Sequence, residues 1–191
     1  MPFHTRDFKE LFGLEHPTIQ FLLHNNYIET TGPPPKGRGS RRSYDLGAAF
    51  RIGLISRLRQ LGMEIPASHR LVGTLDTYLK TRKATAIPEG MDGPQFPYRP
   101  FDSLWTYENT DYFLEIVDQE WIAIHNSYRD LGEIVYALRY HNLHDLTYDN
   151  TRPRKDLLFA DVRLQINLTS ISHQITLFVQ AHPEQFPEFS Q

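Results

Sequence analysis

A run of prolines and glycines cuts this chain in two. Between Ala84 and Pro100 lie Pro88, Pro94, Pro97 and Pro100, together with Gly90 and Gly93. Proline lacks a backbone donor and fixes φ, so neither a regular helix nor a central strand is expected to pass through this stretch. The expected fold class is α+β. It comprises an amino-terminal domain over 1–83, a proline-rich linker over 84–104 and a small acidic α+β domain over 105–191. A chain of 191 residues is long enough for one such division, and no internal repeat argues for another. The absence of cysteine excludes disulfides, thiolate metal sites and cysteine nucleophiles. No apolar run approaches the ~18 residues of a membrane span. Met1–Lys9 also lacks the basic-then-apolar pattern of a secretory leader. The expectation is therefore a cytoplasmic protein with no membrane association.

Charge divides along the same boundary. Residues 1–83 hold 13 Lys or Arg against 7 Asp or Glu, a net +6. Residues 84–191 hold 7 against 16, a net −9, and the two halves give the overall −3. A basic half joined to an acidic half suggests that the first half meets a polyanion while the second faces away from it.

The first half reads as short helices around a hairpin. Thr5 is placed to cap a helix whose early turns carry Asp7 and Glu10, with Phe8, Leu11 and Phe12 at helical spacing. Gly13 is expected to stop it. Glu15–His16–Pro17 then opens a second helix, with Ile19, Leu22 and Leu23 inward. Two helices so closely joined form a helix-turn-helix. Tyr27–Thr30 and Arg41–Tyr44 read as the strands of a β-hairpin wing whose tip is the basic loop Gly32–Arg42. Asp45 is expected to cap a third helix, carrying Leu46, Ala49, Phe50, Gly53, Leu54 and Leu58, that closes at Leu61–Gly62. Pro66–Ala67 opens a fourth, with Leu71, Leu75, Tyr78 and Leu79 as its apolar stripe.

This order of elements resembles the amino-terminal domain of the mercury-resistance-regulator (MerR) family over about residues 3–78. The resemblance rests on Gly13–Leu14, Thr18–Ile19, Asn26–Tyr27–Ile28, Arg41–Arg42–Ser43–Tyr44–Asp45–Leu46 and Arg57–Leu58–Arg59–Gln60–Leu61–Gly62–Met63. It implies a winged helix-turn-helix that binds double-stranded DNA and regulates transcription. The chain departs from the family in its second helix, where Gln20–Phe21–Leu22–Leu23 stands in place of an arginine and a tyrosine. The long dimerising helix that usually follows the fourth is replaced by the proline-rich linker.

On this reading Lys36, Arg38, Arg41 and Arg42 neutralise phosphates, which releases counterions and makes affinity salt-dependent. The second helix offers His16, Thr18, Gln20 and His24, with Thr18 and Gln20 able to reach base edges. Tyr44 and Thr5 complete the expected DNA-binding set. The Tyr44 hydroxyl is directed at a phosphate, or alternatively its ring packs in the core.

The second half carries strand-like runs at Tyr112–Val117 and Trp121–His125, with Asp118–Gln119–Glu120 as their connection. A helix follows with Leu131, Ile134, Val135 and Leu138. Then comes a strand alternating Val162, Leu164, Ile166 and Leu168, and a last helix capped by Thr169 or Ser170 with Ile171, Ile175 and Phe178 inward. The tail Pro183–Gln191 reads as loosely docked. His141, His144 and Asp145 are zinc-ligand types, but they sit at a helix end beside a polar loop, which favours solvent exposure. No phosphate-cradling glycine loop or nucleophile motif occurs.

The expectation is a non-enzymatic, sequence-specific DNA-binding transcription regulator without metal or cofactor. Its acidic domain is expected to serve homodimerisation or contact with the transcription machinery or another protein. The alternative is a protein-interaction adaptor that uses the winged fold without reading DNA.

Overall fold

The computed structural model describes residues 2–32, 42–81, 110–118, 121–128, 141–142 and 162–189. The chain forms two compact units, one of residues Met1–Trp105 with His173–Gln191, the other of Thr106–Ser172. Among the described residues there are five α-helices and two antiparallel sheets, an α+β architecture. No helix among them is long and apolar enough to cross a membrane. The proline-rich linker and the expected helix over Leu131–Leu138 lie outside the described residues.

The first unit opens with β1 (Phe3–His4) and α1 (Asp7–Phe12). Thr5 does not cap α1: no side-chain cap is formed, and its hydroxyl lies 3.3 Å from that of Tyr44. The His4 amide instead donates to the Asp7 carboxylate at 2.7 Å, so an acidic side chain inside the first turn closes the helix entry. Gly13 ends α1 at φ 68°, a left-handed conformation that glycine adopts without Cβ strain. Its N–H and that of Leu14 turn back to Lys9 O and Phe8 O. α2 (His16–His24) follows, with proline in its first turn and Ile19 and Leu22 fully buried.

Tyr27–Thr30 does not form the expected strand. Asn26 takes the left-handed conformation at φ 56°, and the Tyr27 amide closes α2 on Leu22 O at 2.8 Å. That donor is thereby withdrawn from any ladder. β2 (Ser43–Tyr44) pairs instead with β1, Phe3 opposite Tyr44 and His4 opposite Ser43. A single bridge from Thr31 to Ser43 joins the two sides of the basic loop.

α3 (Leu46–Gln60) is capped by Asp45, whose carboxylate accepts from Ala48 N at 2.7 Å. Ten of its fifteen residues are buried, so it is the central rod of this unit and not an amphipathic surface helix. Gly62, at φ 87°, turns the chain into α4 (Ile65–Thr81), which buries Leu71, Val72 and Leu75. The side chains of Tyr78 and Leu79 lie outside the described residues. Arg51 of α3 pairs with Asp76 of α4 at 3.0 Å.

The second unit is built on a sheet. β3 (Thr110–Val117) and β4 (Trp121–Tyr128) pair as an antiparallel hairpin from Thr110 opposite Tyr128 to Val117 opposite Trp121. β5 (His141–Asn142) adds to β4, and β6 (Arg163–Asn167) adds antiparallel to β3, giving the order β5-β4-β3-β6. Central strand β3 is buried through Leu114, Glu115, Ile116 and Val117, with side chains on both faces covered. Glu115 accepts there from Arg163 at 2.8 Å, so a buried acidic side chain is met by a cationic donor.

β6 runs straight into α5 (Leu168–Ala181). The cap is Asn167, whose side chain accepts from Ser170 N at 2.9 Å, and not Thr169 or Ser170. The Thr169 hydroxyl accepts instead from Tyr112 N at 2.8 Å.

The end of the chain differs from its sequence reading. Residues 173–191 group with the first unit, not with the acidic domain. Phe178 and Phe186 are buried, with rings 6.2 and 4.8 Å from Phe3. Gln185 donates to Asp7 at 2.8 Å, and the short 3₁₀ turn Pro187–Phe189 follows. The tail is thus tied down: Phe186 packs into the aromatic cluster of Phe3 and Phe178.

Candidate nucleic-acid interface

Local sequence sets the exposed face of α2. With Ile19 and Leu22 fully buried, the 100° step per residue turns Pro17, Phe21, His24 and Asn25 outward. His16 is exposed at the first position, and Thr18 and Gln20 lie half-buried on the flank. Glu15, just before the helix, pairs with Lys9 at 3.1 Å, an exposed contact worth little energetically but one that balances a carboxylate beside this face.

The stem of the basic loop is fixed against that helix. Arg42 donates from Nη1 to the Gln20 side-chain carbonyl at 3.3 Å. Its own backbone carbonyl lies 3.1 Å from His4 Nδ1. A carbonyl only accepts, so the His4 ring carries its proton on Nδ1 when this bond forms. Thr31 N donates to Ser43 O at 2.7 Å and closes the other side of the stem. Four of the residues expected to act together, His16, Thr18, Gln20 and Arg42, therefore belong to one helix and the loop end bonded to it. Lys36, Arg38 and Arg41 lie in the same loop, outside the described residues.

Tyr44 corrects the expected site. It is fully buried, its ring edge-on to Phe8 at 5.0 Å, and its hydroxyl faces Thr5. It cannot reach a phosphate. Burial pushes its hydroxyl above the usual 10.0, opposed by the Thr5 hydrogen bond and by the Arg42 charge. Thr5 is correspondingly engaged with Tyr44, so the pair fastens β2 to the entry of α1. The core packing weighed as the alternative for Tyr44 is the arrangement found.

Sequence reasoning passed over two features. Phe21 is 45% exposed on the outward face of α2. Its position two residues after Ile19 and one before Leu22 was the available signal. Behind it Tyr27 lies 6.1 Å from its ring and stacks on His69 of α4 at 4.5 Å. Burial, and then the Arg70 charge, hold His69 below its ordinary 6.5.

Elsewhere on this unit an open groove of about 440 Å³ is lined by Arg6, Asp7, Lys9, Glu10, His182 and Gln185. Its two carboxylates oppose anion binding, and Asp7 is already taken by His4 and Gln185. No group of three metal-ligating side chains occurs among the described residues. His144 and Asp145, and the side chain of His141, lie outside them. No protein-family model matches the chain, and no curated protein or solved structure does so.

Proposed function

We propose that this protein binds double-stranded DNA in a sequence-specific manner and regulates transcription, through a winged helix-turn-helix of the kind the MerR-family resemblance implies. α2 enters the major groove, and the loop of Lys36, Arg38, Arg41 and Arg42 grips the adjacent phosphates. The observation that carries this reading is the bond from Arg42 to Gln20, which puts the root of the basic loop and the flank of α2 side by side. A helix beside a cationic loop matches a groove edge beside its phosphate ridge. The net +6 of residues 1–83 supplies the long-range attraction. The acidic unit, with the sheet as its framework, serves dimerisation or contact with the transcription machinery. A dimer reads half-sites about 10 base pairs apart or a multiple of that.

The test is DNA affinity of the full chain at several salt concentrations. Replacing Arg42 with alanine should weaken binding and flatten the salt dependence by about one unit of slope. Salt-independent binding, or no binding to any duplex, ends the proposal.

A further inference from the structure

We propose that Phe21 is a specificity-determining residue that reads the C5-methyl group of thymine in the major groove, an inference that rests on the DNA-binding reading above.

Phe21 is a large apolar side chain held outward among polar ones. On α2 its exposed neighbours are Pro17 one turn earlier and His24 nearly one turn later, with Gln20 beside it holding Arg42. Nearly half its surface meets solvent. Exposing an aromatic ring forfeits hydrophobic stabilisation that burial elsewhere would supply.

The ring is also supported from behind. Tyr27 stands against it at 60° and rests in turn on His69, which is anchored in α4. This column props the ring away from the core, ready for an apolar partner. Among the described residues the other exposed large apolar side chains, Leu61, Val162 and Leu177, lie outside α2.

The edge chemistry of duplex DNA names the partner. In the major groove the bases present hydrogen-bond donors and acceptors and a single kind of apolar group, the thymine methyl. A helix face that mixes hydrogen-bonding side chains with one aromatic ring is complementary to that mixture. The net +6 of residues 1–83 suits a polyanion such as the duplex backbone.

Duplexes bound by the full chain are selected from a random pool. Each thymine of the selected site is then replaced in turn by deoxyuridine, which removes only the methyl. One or two replacements should weaken the parent protein about threefold to fivefold, the loss expected for one buried methyl-sized group. Phe21→Ala should start weaker by that factor and be indifferent at those positions, while Phe21→Leu should keep part of the sensitivity. Because Phe21 is exposed, both variants should retain the parent's circular dichroism.

The inference is overturned if the parent ignores every replacement, or if Phe21→Ala keeps the parent's sensitivity. It is equally overturned if Phe21→Ala abolishes capture of a partner protein while the deoxyuridine profile stays unchanged. Salt-dependent DNA binding surviving in those cases preserves the parent reading and ends only this one. Absence of binding to any duplex ends both.

Discussion

The helical unit and the sheet unit satisfy their backbones by different routes. In the first, the ends of α1 and α3 are closed by residues within a few positions. Gly13 and Leu14 turn back onto α1, Asp45 caps α3, and Gly62 ends it. In the second, closure comes from far along the chain. β3 is held on one side by β4 and on the other by β6, some fifty residues later, with Glu115 and Arg163 as the charged clasp between them. Local closure lets short helices form early and leaves one helix face free. Distant closure commits both edges of β3 to the sheet and both of its faces to the core. The difference separates a unit closed by short-range turns and caps from one closed across its sheet.

The helical unit has long-range fastenings of its own, and the one at Phe186 offers the strongest test of the contrast. Phe186 is fully buried 183 residues after Phe3, and it fills the cluster of Phe3 and Phe178. Phe186→Ala should lower the stability of the helical unit by about 3 kcal/mol, the lost transfer energy plus a partly collapsed cavity. Thermal melting followed at 222 nm checks this. A loss under about 1 kcal/mol would mean that the unit is complete without its tail.

The sheet unit's equivalent is Arg163. Arg163→Ala removes the hydrogen-bonded ion pair that Arg163 makes with the buried Glu115 carboxylate. It should cost about 2 kcal/mol, less than a fully enclosed pair would, because the arginine side chain is 36% exposed. The double variant Arg163→Met with Glu115→Gln should recover part of that loss. Hydrogen exchange at β3 amides reports it, while α3 amides should exchange as in the parent.

The same contrast explains what could be read from residues alone. Gly13, Asp45 and Gly62 announce their roles because capping is a short-range matter of φ and one side-chain oxygen. Leu22 was placed inward correctly because helical spacing is local. Tyr27–Thr30 looked like a strand by composition, yet the left-handed Asn26 and the closure of α2 claimed it first. Tyr44 looked like a phosphate ligand beside two arginines. Its burial follows from pairing with Phe3, 41 residues away, which no window of sequence displays. The tail misled for the same reason: Pro183, Glu184, Pro187 and Glu188 surround Phe186, and nothing nearby reveals the hole it fills. That His16, Thr18 and Gln20 share one helix was legible, because helical spacing is local. The part of the expected interface that depended on a distant strand was not.

The smallest expected effect concerns acid. His69 is depressed in the folded chain by burial against Tyr27 and, secondarily, by the Arg70 charge. A lowered histidine favours the neutral ring in the native state. Its stabilisation is therefore present above the unfolded value of 6.5 and is lost as pH falls through the folded value. Acidification below 6.5, before carboxylates titrate, should thus loosen α2 and α4 by a small amount. The measurement is amide exchange of the α2 and α4 helices across that window, in the parent and in His69→Gln. The parent should lose protection there and the variant should not. Because the His69 ring underlies Tyr27 and Tyr27 backs Phe21, the same protonation sharpens the comparison of the two units. It should raise mobility at the outward face of α2 while β3, closed by Glu115 and Arg163, keeps its protection. Equal loss in both units would show that the acid response belongs to carboxylates shared across the chain and not to this histidine.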